Sequence, residues 1–433
     1  MKSLCKILFV IVAAGLANTP ISLNALICCE KEHYNPYECT DQFWIRGEYL
    51  LWNTKRTKLR TPLLTQASLS DPIPGAIGQP GTKVVLGKMY LEPPLRSGFK
   101  ISGGYYFDSH RTFGIDGSYF LLLTNLRSKF KSTTGASGTV NYAVPVFDVT
   151  GNWGLNGVPG ETIFLLTGPA SNPIFAGTFG DFDLRTASRF HGEEINLTYS
   201  LLNYCGLTIV EIAGFRHFAL KEMLTYKGNT GISSIFSQNF FNFNDRFRAY
   251  NDFYGPQIGF LCEYDRQDWL LSSCVKVGLG VMNKHVSIKG SSSTVGGSEF
   301  YLVTGPQQDL GSGIFAQKTN RGIYTKHSFG VTVDSTIRIG YRFTDYLETH
   351  IGYNFLWLND VTPLARVIDH KINPTLTSLA KVSRSTAGTT VGPIPFGSRK
   401  GAEAPEGEKA PEFSFKKEHY WAQGLTIWIT LRF

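Results

Sequence analysis

His110, His217, His285, His350 and the Asp369-His370 pair are the side chains of this chain best suited to activating a nucleophile or moving a proton. Some small membrane barrels place Ser-His or Asp-His machinery of this kind at their rims. Here the histidines are scattered, and none stands in a recognisable nucleophile–base arrangement. His350 falls beside Arg338 and Glu348, where ordinary hydrogen bonding accounts for it. Gly278-Leu279-Gly280 has no helix signal after it, so its glycines belong to a strand or a bulge rather than a phosphate loop. No Cys-x-x-Cys pair occurs and no His lies at zinc-ligand spacing, so neither a metal nor another cofactor is expected. A hydrolase is accordingly the weakest of three functional readings.

The remaining chemistry lies in charges at alternate positions. Arg46, Glu48, Lys100, Asp116, Glu194, Asn196, Glu211 and Gln257 interleave with apolar residues. Glu263, Lys276, Asp334, Arg338, Arg342, Glu348, His350 and Arg432 do the same. A period of two belongs to a β-strand whose faces meet different surroundings. Both signs of charge share one face. Such a face lines a pore and tunes its selectivity, or it forms salt bridges that hold a wall together.

The elements that position these residues are strands. Trp421, Leu425, Ile427, Ile429, Leu431 and Phe433 alternate with Ala422, Gly424, Thr426, Trp428, Thr430 and Arg432, and Gln423 is the one break in the apolar row. Outer-membrane barrels close with such a strand, apolar toward lipid and polar toward the lumen. Nine further segments read the same way: 43–52, 99–107, 113–123, 195–201, 206–218, 252–264, 269–283, 329–343 and 347–357, of which 206–218 is less regular. Each has about ten residues or more, enough for a tilted strand to span a bilayer. A β-sandwich would also alternate, but strand length and the terminal aromatic favour the membrane version.

Short links fall at Asp108-Ser109-His110-Arg111, Asn203-Tyr204, Asp265-Arg266-Gln267-Asp268 and Thr344-Asp345. Long links occupy 53–97, 125–192, 219–252, 284–327 and 359–419. Their strict alternation predicts an all-β, antiparallel up-and-down transmembrane β-barrel of about ten strands, with short periplasmic turns and long extracellular loops. Twelve strands is the alternative, should 125–192 hold another hairpin. A two-residue turn at Arg266-Gln267 sets Glu263 opposite Leu270. Trp269, Leu271, Val275, Val277 and Leu279 then share the lipid face with Tyr254, Ile258 and Phe260, and Cys262 and Cys274 fall on opposite faces, unable to bond to each other. A three-residue turn at 344–346 pairs Phe343 with Leu347 outside and Arg342 with Glu348 inside.

The N-terminus fits export. Met1-Lys2-Ser3-Leu4-Cys5-Lys6 is cationic, and the apolar run Ile7–Leu16 is shorter than the roughly 20 residues of a spanning helix. Residues 1–25 read as a removable secretory signal, 26–41 as a Cys-containing segment, and 42–433 as one barrel domain with a mobile loop about 359–419. No lipobox-like small residue precedes Cys28 or Cys29. Cys28, Cys29 and Cys39 are disulfide candidates, within the chain or to neighbours. Aromatic residues make up 13% and charged residues 18%, with 45 Gly, a balance suited to strands between two solvents. The formal charge of +8 is spread along the chain and is no nucleic-acid footprint.

Several blocks then resemble a known family. They are Trp44-Ile45-Arg46-Gly47-Glu48-Tyr49-Leu50-Leu51-Trp52, Gly214 to Glu222, Phe253-Tyr254-Gly255-Pro256-Gln257-Ile258-Gly259, Lys276 to Gly280, Gly352 to Leu358 with Val361, and Trp421-Ala422-Gln423-Gly424-Leu425. In this order they resemble the putative beta-barrel porin-seven family of outer-membrane proteins. Thr362-Pro363-Leu364 stands where family members usually carry an Arg-Pro-Gly turn, so that loop is expected to differ. The resemblance implies a bacterial outer-membrane barrel and supplies no catalytic residue or solute.

Three readings follow: a porin for passive diffusion of small solutes or ions, a non-conducting structural or surface-adhesion barrel whose long loops bind a partner or glycan, and the hydrolase. About ten strands make a narrow lumen that side chains largely fill, against about 16–18 for wide porins. Expected partners are outer-membrane lipid, the barrel-assembly machinery, and solutes or ions.

Overall fold

Alternation resolves into two populations of strand. The computed structural model describes residues 42–151, 158–169, 177–233, 238–295, 308–309, 311–376 and 408–433. In chain order the strands are β1 (Phe43–Thr54), β2 (Pro62–Ala67), β3 (Lys83–Gly87), β4 (Leu95–Tyr106), β5 (Phe113–Thr133), β6 (Asn141–Asp148), β7 (Gly160–Thr167) and β8 (Phe179–Tyr204). Then come β9 (Leu207–Ser233), β10 (Gln238–Arg266), β11 (Trp269–Val295), β12 (Gln308–Asp309), β13 (Gly322–Thr344), β14 (Leu347–Val361), β15 (Lys371–Ile372) and β16 (Glu418–Arg432). Ten of them, β1, β4, β5, β8, β9, β10, β11, β13, β14 and β16, pair antiparallel in a closed ring. All ten segments read from alternation are in it. The expected signal peptide, the cluster Cys28, Cys29 and Cys39, and residues 377–407 lie outside the described residues.

The ring closes where its ends meet. The Phe43 and Phe433 backbones exchange N–H···O bonds of 3.1 and 2.8 Å, and β1 then pairs with β16 from Trp44–Arg432 to Thr54–Ala422. Four short turns share this end of the barrel. Asp108 organises the first, its carboxylate accepting the Thr112 and Phe113 N–H at 2.9 Å each, which holds it below the usual carboxylate range. Three turns sit slightly later than expected. The one expected at Asn203-Tyr204 is Cys205-Gly206, both with positive φ (50° and 75°), the geometry of a tight hairpin. Cys205 is disulfide-bonded, with its partner outside the described residues. The turn expected at Arg266-Gln267 is Gln267-Asp268, so Glu263 faces Ser272, not Leu270. A slip of two leaves every side chain on its expected face. Cys262 and Cys274 are both thiols, on opposite faces. Arg342 pairs with Glu348 as expected, but a bulge at Phe343 puts Leu347 opposite Thr344.

The barrel is taller than alternation revealed. β5, β8, β9, β10, β11 and β13 run for 21 to 29 residues, while β1, β4, β14 and β16 have 12 to 15. Much of 125–192, 219–252 and 284–327, expected as loop, is therefore wall; β9 and β10 pair as far as Ser233–Gln238. The cause is an inversion of chemistry at constant geometry. Odd residues of β9 point outward throughout: Ile209, Ala213 and Phe215, then His217, Lys221 and Lys227. Even residues point inward: Arg216, then Phe218, Leu220, Leu224 and Tyr226, all buried. Below His217 the wall has hydrocarbon outside and charges inside; above it, water outside and a protein core inside.

That upper core is completed by the long links. β2, β3, β6, β7 and β15 form a small sheet of order β15-β6-β2-β3, with β7 on β6. Leu63, Leu64, Leu86, Val144, Val146 and Leu165 of this cap are packed with Phe182, Leu224, Tyr226, Phe243 and Phe247 of the wall. Each such side chain contributes roughly 1.5–3 kcal/mol by leaving water. The Tyr226 hydroxyl donates to the Leu63 carbonyl at 2.9 Å and joins wall to cap. Part of the loop 359–419, expected to be mobile, is held here: Leu364, Val367, Ile368 and Ile372 are buried in the same core, and Phe413 and Phe415 pack against it. Its Leu364–Arg366 segment is a single 3-10 turn. Asp245 on β10 pins another link by accepting the N–H groups of Ile314, Phe315 and Ala316 at 3.1, 2.9 and 3.2 Å. Burial outweighs those three donors and pushes its carboxyl up to about 6.

Candidate functional site

Inside the lower half, the polar face of each strand is forced toward its neighbours because the outer face belongs to lipid. Two levels of charge result. Near the short turns, Glu348 is 1% exposed and receives Arg342 at 3.3 Å, Arg432 at 3.2 Å and His350 at 3.4 Å. Arg342 also reaches Asp265, and Arg338 reaches Glu263, each at 2.6 Å. Arg46 lies over the Trp44 ring and donates to the Thr430 hydroxyl at 3.0 Å. One level higher, Glu194 binds Arg216 and Lys276 at 2.6 Å each, and Asp334 binds Arg216 at 2.8 Å and Lys276 at 3.6 Å. Gln257 donates to Glu194 at 3.0 Å, Asn196 to Asp116 at 2.9 Å, and Lys100 stands 3.8 Å from Glu48. Between the levels is a chamber of about 310 Å³ whose lining includes the turn residues Ser109, His110, Arg111 and Gly206, so its mouth is at the short-turn end.

The chamber stops at an aromatic layer. Trp52, Phe120, Phe190, Phe218, Phe253 and Tyr420 form one buried cluster with Leu50, Leu122, Met282 and Leu356. The Phe190 and Tyr420 rings meet at 5.1 Å, and Phe120 touches Phe190 and Phe218 at 5.2 and 5.8 Å. β8 and β16 are four strands apart around a ring of ten, so the Phe190–Tyr420 contact crosses the lumen. A Cβ at Gly192 would fall 2.3 Å from the Phe218 ring, so glycine there makes room for the layer. Arg216 lies 4.6 Å from the Phe218 ring centre and links the layer to the charges below.

Of the fourteen candidate lining residues, Arg46, Glu48, Lys100, Asp116, Glu194, Glu263, Lys276, Asp334, Arg338 and Arg342 line the chamber, and Gln257, Glu348 and His350 are buried in the wall's interior side. Glu211 is the correction. It occupies an odd position of β9 between Tyr199 and Phe260, both outward, and so faces lipid. Leu207, Ile209, Val210 and Ile212 make both faces of that stretch apolar, so period alone could not orient it. Arg216, the centre of the upper network, was missed for the same reason; once Phe215 is placed outward, Arg216 must point in. The candidate histidines do not converge. His217 faces outward with Glu193 at 2.8 Å, His285 bonds Thr325 at 3.2 Å, and His370 is 3.3 Å from Glu161 in the cap.

A family model described as Putative beta barrel porin-7 (BBP7) matches residues 44–433. The chain belongs to that family. It is an outer-membrane β-barrel, and the BBP7 match takes in all ten wall strands and the cap. Among solved structures it is similar to the outer membrane protease OmpT of Escherichia coli, at 10% identity and TM-score 0.38, covering 91% of this chain and 97% of that one. It is also similar to the monoaromatic hydrocarbon channel TodX of P. putida (a deltaS2 mutant), at 8% and 0.21, covering 91% of each. A third is OmpT of Vibrio cholerae, at 7% and 0.15, covering 89% of this chain and 98% of that one. No activity transfers to the BBP7 chain from such scores. No curated protein matches the chain.

Proposed function

We propose that this barrel is a non-conducting outer-membrane protein that presents a rigid folded cap to the outside. The aromatic layer carries the reading, because Phe190 against Tyr420 leaves apolar rings rather than water across the lumen. An ion entering that layer would shed its hydration against ring faces and aliphatic side chains, with Tyr420 carrying the one hydroxyl of the cluster. Above it, the cap fills the upper barrel with a second apolar core. What faces the surroundings is then the cap and the outer wall, which suits a structural or adhesive role. Export through a removable signal in 1–25 and insertion by the barrel-assembly machinery complete this proposal.

A diffusion channel is the second reading. The charged chamber at the short-turn end favours it, since it is already a polar vestibule. Conductance of the refolded full chain in planar bilayers separates the two. A heat-modifiable barrel with no stable current steps is expected; stable ion-selective steps would overturn the closed-barrel reading and support the channel.

A further inference from the structure

Cys205 sits in the β8–β9 turn at the rim of the chamber, next to the lining residue Gly206, and it is disulfide-bonded. The chain has seven cysteines, of which Cys262 and Cys274 are thiols. Within this one chain the partner of Cys205 is therefore Cys5, Cys28, Cys29 or Cys39, and all four precede β1. Cys5 lies in the stretch read as a removable signal, which leaves the other three to an exported protein. Around the ring, β4, β5 and β8 separate β1 from the Cys205 turn. With strands about 4.8 Å apart and tilted by about 40°, that separation is roughly 18 Å across the opening. The β1 end is fixed: the Gln42 carbonyl accepts the Tyr106 N–H at 2.8 Å, and Gln42 Oε1 accepts the Tyr105 hydroxyl at 3.0 Å.

The charges at this mouth lack a carboxylate. Arg338 is paired with Glu263, Arg342 with Asp265 and Glu348, and Arg432 with Glu348. Arg46 lines the same chamber and has the Trp44 ring and the Thr430 hydroxyl, but no salt bridge among the described residues. The segment before β1 has the opposite excess, with Glu30, Glu32, Glu38 and Asp41 against Lys31. Outside the rim stand Phe43, Phe107 and Phe113, all exposed toward lipid, where acids would be costly. The inner side of the rim suits them.

We propose that the acidic segment preceding β1 crosses the short-turn mouth of the chamber as a strap. Gln42 anchors it on one side, a disulfide to Cys205 anchors it on the other, and its carboxylates turn to Arg46. Three extended residues cover about 10 Å and a disulfide adds about 6 Å, so Cys39 comes close to spanning the opening and Cys28 or Cys29 spans it with slack. Forming the bond turns two thiols into one disulfide. Two electrons and two protons pass to a disulfide-bearing oxidant of the export compartment, which leaves as its dithiol. A soluble anion would meet Arg46 from dilute solution, whereas the tether holds these acids at the mouth at high effective concentration. The strap does not depend on whether the barrel conducts, because it covers the chamber on the side away from the aromatic layer.

Cys274 lines the chamber and serves as the probe position. The test uses the full chain exported into the outer membrane of a Gram-negative host and extracted in detergent without reductant. Peptide mapping by mass spectrometry should find Cys205 joined to Cys28, Cys29 or Cys39 in a band that runs as a monomer on a non-reducing gel. A bulky hydrophilic maleimide, scored at the Cys274 peptide, should react about ten-fold slower with oxidised wild type than with Cys205→Ser or with wild type reduced after folding. E30Q/E32Q/E38Q/D41N, with its disulfide intact, should react about three-fold faster than wild type, the share held by ion pairs. The heat-modified gel shift checks that each protein is folded, and the wild type reduced after folding serves even where a variant fails to fold. Cys205 found as a thiol, or joined to a second chain, would overturn the tether. Equal Cys274 rates in oxidised and reduced wild type, or protection only with millimolar inorganic phosphate, would overturn the strap and leave the mouth to soluble anions. A wild-type rate in the neutralised variant would overturn the pairing of its acids with the mouth.

Discussion

Phe190 and Tyr420 touch ring to ring at 5.1 Å from strands four places apart around the wall. The contact belongs to a buried apolar cluster that packs across the middle of the barrel. Truncations within that cluster should then cost what they cost in other packed apolar cores.

The first expected outcome concerns that layer. Phe190→Ala removes a ring that is fully buried and in contact with Phe120, Phe218 and Tyr420. A loss of about 3–5 kcal/mol is expected in urea-induced unfolding from lipid vesicles. A loss below about 1 kcal/mol would mean that the interior relaxes around the gap, as a loosely filled lumen would.

The upper charge network should behave as a unit. Arg216→Met leaves Glu194 and Asp334 with Lys276 as their one salt-bridge partner among the described residues, and a loss of about 3–5 kcal/mol is expected from the under-compensated buried charge. Adding Glu194→Gln should restore part of it, giving a coupling of about 1 kcal/mol or more in a double-mutant cycle. Simple additivity would show that the two residues do not share one network.

How much of this was legible in the sequence follows from what enforces alternation. Lipid tolerates little charge, so rows such as Leu425, Ile427, Ile429 and Leu431 announce themselves, and with them the strand number and closure. Above the membrane the same strands exchange apolar-out for apolar-in, and Lys221, Met223 and Thr225 no longer form a contrast that a period of two can detect. The cap was hidden for another reason. β2 finds its partner β6 some eighty positions away, Thr65 opposite Ala143, and a six-residue strand in a Gly- and Pro-rich link carries no sign of so distant a pairing. Inward charges were legible one strand at a time, but their partners, such as Arg338 for Glu263, depend on barrel closure.

Glu211 gives a prediction of opposite sign. Its side chain faces lipid between Tyr199 and Phe260, where an acid lowers stability. Glu211→Leu should stabilise the barrel by about 1 kcal/mol, read as a higher urea midpoint in vesicles. A lower midpoint would indicate that the carboxylate has a structural role at the wall.

Asp245 predicts the pH dependence of the cap. Its folded value of about 6 lies above the ordinary 3.8, so the folded cap binds the proton more tightly than the unfolded one. That stabilising contribution is complete below about 3.8 and disappears as pH rises through about 6. Backbone hydrogen exchange in 311–320 should accordingly show opening that grows between pH 4 and pH 8 in wild type, beyond the intrinsic rate change, and Asp245→Asn should flatten the trend. An identical profile in both proteins would remove Asp245 as its source.

The small outer sheet takes β2 and β3 from the link after β1, β6 and β7 from the link after β5, and β15 from the link after β14. No single hairpin holds enough of it to be stable alone, and β15 comes within reach of β6 only when the last wall strand has joined the first. Completion of the cap sheet therefore depends on closure of the ring. A probe specific for the completed sheet would report a closed barrel rather than mere synthesis.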